Sequence, residues 1–125
     1  MDKLEFTGER LVPGVYGQIA IDHLHRYSMS YPLVRDKIVL DLACGEGYGT
    51  KLLSNVASQV IGVDISEETI LYAEKKYSSK NLKFKVGNAD DLPFEDNFFD
   101  VVVSFETIEH LDNHDGMISE IRRVL

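Results

Sequence analysis

A buried-looking strand that ends on an acid and breaks into alternating glycines, VLDLACGEGYGT at 39–50, constrains this chain more than any other stretch. The run KIVLDLA (37–43) is apolar almost throughout, as a strand covered on both faces is. Asp41 closes it, and Gly45, Gly47 and Gly49 lead into a short helix expected over 48–57. Glycines let a backbone approach a ligand, and a helix N-terminus offers unpaired N–H groups. The plainer alternative is a tight strand-to-helix turn, but three alternating glycines behind a strand-end acid favour a ligand loop. A dinucleotide loop of the form G-x-G-x-x-G would need its third glycine at 50, where Thr50 stands. Asp41 and Glu46 also bring negative charge, which suits a ligand with a cationic end and not a pyrophosphate. S-adenosylmethionine, with an ammonium beside a sulfonium, is such a ligand.

The rest of the chain alternates strands and helices. QVIGVDI (59–65) is a second buried strand, and Asp64 at its end can accept both hydroxyls of a ribose. Ser66 is a helix cap with Glu67, Glu68 and Thr69 in the first turn, followed by Ile70, Leu71, Ala73, Glu74 and Tyr77. NLKFKV (81–86) alternates, as at a sheet edge. GNADDLPF (87–94) follows; Asn88 and Ala89 sit where an adenine edge would lie, with Asp90 a second candidate and a polar turn before Pro93 the plain alternative. FFDVVVSF (98–105) is the fourth strand, and 115–125 a last helix with Ile118, Ile121 and Leu125 inward. Upstream, 1–15 reads as an extended arm and 16–31 as a helix ended by Pro32. The alternation predicts an α/β fold: a Rossmann-like three-layer αβα sandwich on a mostly parallel sheet. A four-stranded sheet would leave its last strand as an open edge, so the fold is expected to be incomplete at the C-terminus. One domain over 1–125 is expected, with 1–36 as arm and lid helix and 37–125 as core.

Composition narrows the partners. The formal net charge is −8, and no basic stripe of the kind nucleic-acid binders show is present, so no nucleic-acid partner is expected. No apolar run approaches the roughly 18 residues of a membrane span, so no membrane partner is expected either. Cys44 is the single cysteine and the N-terminus has no signal-peptide pattern, which together suggest a reducing cytoplasm.

From about Lys37 to Leu125 these residues resemble the class I S-adenosylmethionine-dependent methyltransferases of the broad type 11 group. Asp41-x-Ala43-x-Gly45-x-Gly47 is similar to the family's D-x-G-x-G-x-G loop, with Ala43 for the first glycine. Asp64 matches the ribose acid; Asn88-Ala89 and Leu92-Pro93-Phe94 match a D-A-x-x-L-P-F segment, with Asn88 for the acid. The resemblance implies a cofactor-binding set of Asp41, Ala43, Cys44, Gly45, Gly47, Tyr48, Asp64, Ile65, Asn88, Ala89, Asp90 and Phe105. It also implies a seven-stranded sheet, with three strands to follow Leu125. The arm FTGERLVPG and the segment DHLHRY are similar to bacterial methyltransferases that stand alone or are fused to glycosyltransferases, which points to a small-molecule or saccharide acceptor. There the N-terminal helix lids the cofactor, making Tyr16, His25, Arg26 and Tyr27 candidates for the methionine carboxylate or the acceptor. Packing on the inner helix face is the alternative for His23 and Tyr27, and a solvated charge for Arg26.

FETIEHLDNHDG (105–116) continues the fourth strand beside the glycine loop. His110, with an ordinary pKa near 6.5, is the leading general base, and Glu106 or Glu109 could orient it. Glu106-x-x-Glu109-His110 also resembles the metal motif of plant-type small-RNA 3′-end methyltransferases and ubiquinone-pathway O-methyltransferases, in which a divalent ion such as Mg²⁺ grips the acceptor's hydroxyls. His114 is the other local ligand candidate. An E-H pair at this place is also common in methyltransferases without a metal.

Overall fold

The computed structural model describes residues 25–105 and 114–125. A helical turn at 25–29 is followed by α1 (Tyr31–Val34), β1 (Ile38–Leu42), α2 (Tyr48–Leu53), β2 (Gln59–Asp64), α3 (Glu67–Lys76), β3 (Leu82–Val86), β4 (Val101–Val103) and α4 (His114–Val124). The four strands form one sheet in the order β3-β2-β1-β4, parallel at every pairing. Asp41 stands opposite Gly62 on one side and Val103 on the other, so it occupies the middle of the carboxyl edge.

Alternation along the central strands sends side chains to two cores. Leu40, Leu42, Ile61 and Val63 pack with Ala89, Leu92, Phe99 and the α4 residues Met117 and Val124. Val39, Val60, Leu82 and Val103 pack on the opposite face with Tyr27, Val34, Leu53 and Ala57. Helices therefore cover both faces, as the continuous apolar strands require. β3 is an edge strand, and its exposed Lys83 and Lys85 match the expected wetter side.

Ser66 caps α3 as expected, its Oγ accepting the Thr69 N–H at 3.2 Å with Glu67 and Glu68 in the first turn. Four expectations change. Pro32 does not simply end a helix; it sits in the first turn of α1, where its missing N–H costs nothing. The helix expected over 48–57 stops at Leu53 and continues as turns. The fourth strand is only Val101–Val103, because Phe98 and Phe99 join Phe94 in an aromatic cluster and the Phe99 N–H goes to the Val124 carbonyl at 2.9 Å. In α4 the inward stripe is Met117, Ile121 and Val124, while Ile118 and Leu125 are exposed.

Candidate functional site

The loop from β1 to α2 is built on a left-handed residue at every second position: Ala43 at φ 61°, Gly45 at 59° and Gly47 at 92°. This is why the glycines are spaced by two. Gly47 is doubly constrained, since a Cβ there would lie 2.7 Å from Phe84 Cζ and 2.9 Å from Ala73 Cβ. Ala43, where the family pattern has glycine, therefore departs in backbone strain: its methyl group is held in a region that L-residues disfavour. Gly49 has another purpose. A Cβ on it would fall 2.1 Å from the Tyr27 ring, so it makes room for that side chain.

Tyr27 and Thr50 are the hydrogen-bond partners of Asp41. The Tyr27 hydroxyl donates to both carboxylate oxygens at 3.0 and 3.2 Å, and Thr50 Oγ1 donates to Oδ2 at 2.8 Å. Asp41 has no exposed surface. Burial pushes its pKa up to about 7, nearby Asp64 adds to the rise, and the Thr50 and Tyr27 hydrogen bonds oppose it. The expectation of Tyr27 as a direct ligand contact changes accordingly: its ring is buried, lies edge-on to Phe105 at 4.8 Å, and its hydroxyl is committed to Asp41. Thr50, noted in the sequence only for not being glycine, is a member of this network; helical spacing from Gly47 could have placed it on the loop side. Glu46, expected to charge the loop surface, is buried as well.

Asp64 stands at the neighbouring strand end and stays partly exposed. Its Oδ2 accepts the Gly45 N–H and its Oδ1 the Ser66 N–H, both at 3.0 Å. Each oxygen keeps acceptor capacity for a hydroxyl. Ile65, next along, is 68% exposed, an apolar face beside the carboxylate. The Gly87 N–H bonds the Asp64 carbonyl at 3.1 Å and so brings the 88–91 turn alongside. Asn88 and Asp90 are exposed there; Ala89 points into the core, leaving its backbone for a ligand. The strand end thus presents an apolar surface, a carboxylate with remaining acceptor capacity and an exposed amide in one place, groups whose chemistry fits the adenosine part of S-adenosylmethionine.

Four further candidates lie in or beside the loop. Arg26 is exposed, with Nη1 3.5 Å from the Phe105 carbonyl. Tyr48 is half-buried and edge-on to Tyr77 at 6.3 Å. Cys44 is buried against Gly62, and burial holds its thiol well above the ordinary value. His25 is exposed. Tyr16, His23, Glu106, Glu109 and His110 lie outside the described residues. The expected base, its orienting acids and the metal motif therefore do too.

Sequence reading missed Glu120 and Arg123, which bind the 92–96 loop through side-chain hydrogen bonds to Leu92, Phe94 and Asp96. Their spacing on one helix face was visible; their partners about thirty residues upstream were not.

Residues 40–125 match the methyltransferase domain family. Over 124 residues the chain is 37% identical to a protein of Mycolicibacterium smegmatis named a probable S-adenosylmethionine-dependent methyltransferase, covering 98% of this chain and 48% of the relative. It is 31% identical over 113 residues to the fatty-acid O-methyltransferase of the same organism, covering 83% of this chain and 41% of that one. The crystal structure of the PH0226 protein from Pyrococcus horikoshii superposes with a TM-score of 0.72 at 40% identity, over 84% of this chain and 51% of the other. The chain thus spans about half the length of the curated relatives it matches.

Proposed function

This chain belongs to the methyltransferase domain family, among relatives that are S-adenosylmethionine-dependent, and we propose that it transfers a methyl group from that cofactor to an oxygen of a small-molecule, sugar or lipid acceptor. The cofactor supplies a methyl group on a positive sulfonium, already a good leaving group. What remains for the protein is alignment and exclusion of water. Asp64 holds the ribose, Ile65 and the 88–91 turn hold the adenine, and the left-handed loop at 43–47 takes the amino-acid end. His110 takes the acceptor's proton and Glu106 orients it. Support for these two roles comes from sequence order: Glu106 is the next residue after Phe105 and His110 follows four positions later, while β4 pairs with β1 so that the carboxyl end of β4 lies beside that of β1. The oxygen acceptor draws support from the fatty-acid O-methyltransferase relative, and the sugar alternative from the N-terminal segment.

One observation carries the choice of cofactor: the loop is left-handed at 43, 45 and 47, a spacing that departs from the dinucleotide pattern, while the Asp64 carboxylate, pinned by the Gly45 and Ser66 N–H groups, supports an adenosine of either class. Calorimetric titration with S-adenosylmethionine, S-adenosylhomocysteine and NAD tests it. Binding of the first two is expected; NAD binding without either would overturn it. Labelled-methyl transfer to a panel of fatty acids and sugars, with the product mapped by NMR, tests the acceptor, and a methyl found on carbon would sink the oxygen assignment.

A further inference from the structure

The 88–94 segment is held both from within and from outside. Its own backbone contributes the Asp91 N–H to Asn88 carbonyl bond at 3.0 Å and the Phe94 N–H to Leu92 carbonyl bond at 2.9 Å. Side chains of α4 supply further bonds. Glu120 Oε1 accepts the Leu92 N–H at 2.8 Å, and Arg123 Nη2 donates to the Leu92 carbonyl at 2.9 Å, so one residue pair reaches both the N–H and the carbonyl of Leu92, the carbonyl being shared with the Phe94 N–H. Arg123 Nη1 donates to the Phe94 carbonyl and to Asp96 Oδ1, each at 2.8 Å. The pair is locked together by Nε to Oε2 at 2.6 Å and Nη2 to Oε1 at 3.0 Å. Main-chain bonds extend the seam, from the Asn97 N–H to the Arg123 carbonyl at 3.0 Å and from the Phe99 N–H to the Val124 carbonyl. Beneath it Ala89 and Leu92 pack on Met117 and Val124.

An exposed ion pair by itself contributes little. This one differs, because three of its remaining hydrogen bonds go to the main chain of a single loop and a fourth to the Asp96 side chain of that loop, and a guanidinium fork fixes geometry as well as charge. An ion pair serving only to anchor α4 would have no need to reach both the N–H and the carbonyl of the residue that closes the adenine-side turn. We infer that Glu120 and Arg123 are a positioning pair that holds the 88–94 turn in the shape that recognises the adenine 6-amino group, and so sets the base specificity of the site through Asn88 and Ala89. This rests on the cofactor reading above.

The readout is a preference, which loss of stability alone does not move. Calorimetry compares S-adenosylhomocysteine with its deaminated analogue, S-inosylhomocysteine, in the wild type, Arg123→Lys, Glu120→Gln and Tyr31→Phe. Tyr31→Phe is the control, removing a hydrogen bond to the Leu52 carbonyl away from the turn. The wild type is expected to prefer the adenine form. Arg123→Lys, which keeps the charge and loses the fork, should weaken S-adenosylhomocysteine binding about tenfold and bring the preference towards unity. Glu120→Gln, which keeps an acceptor for the Leu92 N–H and loses the ionic lock, should shift it the same way by a smaller factor; it decides the matter if the lysine variant does not fold. Tyr31→Phe should leave the preference unchanged. Variants that fold and keep the wild-type preference overturn the inference and leave the cofactor reading standing. A wild type that binds without preference overturns it too, and one that binds neither compound removes the cofactor reading with it.

Discussion

Asp41→Asn should make the fold more stable at alkaline pH while weakening the site. The wild-type carboxyl is buried at the centre of the sheet's carboxyl edge, and burial raises its pKa from 3.8 to about 7. A folded-state pKa above the unfolded one means that the folded protein holds a proton the unfolded chain has released. The stability that the protonated carboxyl contributes is thus complete below about pH 4 and is lost as pH rises through about 7. The separation corresponds to about 4 kcal/mol at roughly 1.4 kcal/mol per pH unit. Asparagine has the same shape and cannot ionise, but it keeps one acceptor oxygen and places an amide NH₂ where Thr50 and Tyr27 now donate, which costs about 1–2 kcal/mol of that. The variant should therefore be about 2 kcal/mol more stable than the wild type at pH 8, with the advantage gone or reversed at pH 5. Urea unfolding at pH 5, 6, 7 and 8, without ligand, measures this, and the difference between the two proteins cancels the titrating groups that, unlike Asp64 and Cys44, do not interact with Asp41. Parallel stability curves across that range would refute the reasoning. A cationic ligand end should favour the ionised form, so S-adenosylmethionine affinity should rise from pH 6 to 8 in the wild type and stay flat in the variant.

The loop geometry predicts opposite outcomes at two neighbouring positions. Gly47→Ala should lower stability by at least about 2 kcal/mol, from the left-handed backbone and the contact with Phe84 together, and an unchanged Tm would contradict it. Ala43→Gly should stabilise by up to about 1 kcal/mol, since relief at φ 61° outweighs the added freedom of the unfolded chain; a clear fall in Tm would show that the alanine is not strained. Tyr27→Phe keeps the ring on Gly49 but removes a hydrogen bond that lowers the Asp41 pKa, so the pH midpoint of the stability curve should move upward. A midpoint that stays or falls would mean that the tyrosine hydroxyl does not act on Asp41.

The strands were legible because a strand buried on both faces leaves an unbroken apolar run, and the cap at Ser66 because capping is a local affair of three residues. The glycine spacing was legible as a ligand loop, but its physical cause was not: alternation reports left-handed backbone at 43, 45 and 47, and position 49 serves a tyrosine instead. Helical periodicity marked Tyr27 as inward-facing without naming what lies inside. That partner, Asp41, is set by the docking of the 25–29 turn on the sheet. The same limit applies to α4. Charge alternation at 120–123 shows a polar face, and only the fold brings that face to Leu92 and Phe94. Phe98 and Phe99 read as strand by composition, and tertiary packing with Phe94 overrode the local preference.

Two unfavourable features meet at the carboxyl end of β1, and together they say more than either alone. Ala43 holds a strained backbone where asparagine or glycine would be easier. Two residues away, Asp41 keeps a carboxyl wholly buried, where burial disfavours its charged form. A turn optimised only to join a strand to a helix has no use for either. Local rules of this kind are broken together at sites of function. The Tyr27 and Thr50 hydroxyls reduce the penalty on Asp41 without removing it, so the carboxyl remains poised near neutrality and not fixed in one state. Asp64, one strand over, is instead partly exposed and held by two backbone N–H groups. The two acids at the sheet edge therefore differ in environment: Asp64 keeps exposed acceptor capacity, and Asp41 lies beneath the loop with its oxygens taken by hydroxyl donors.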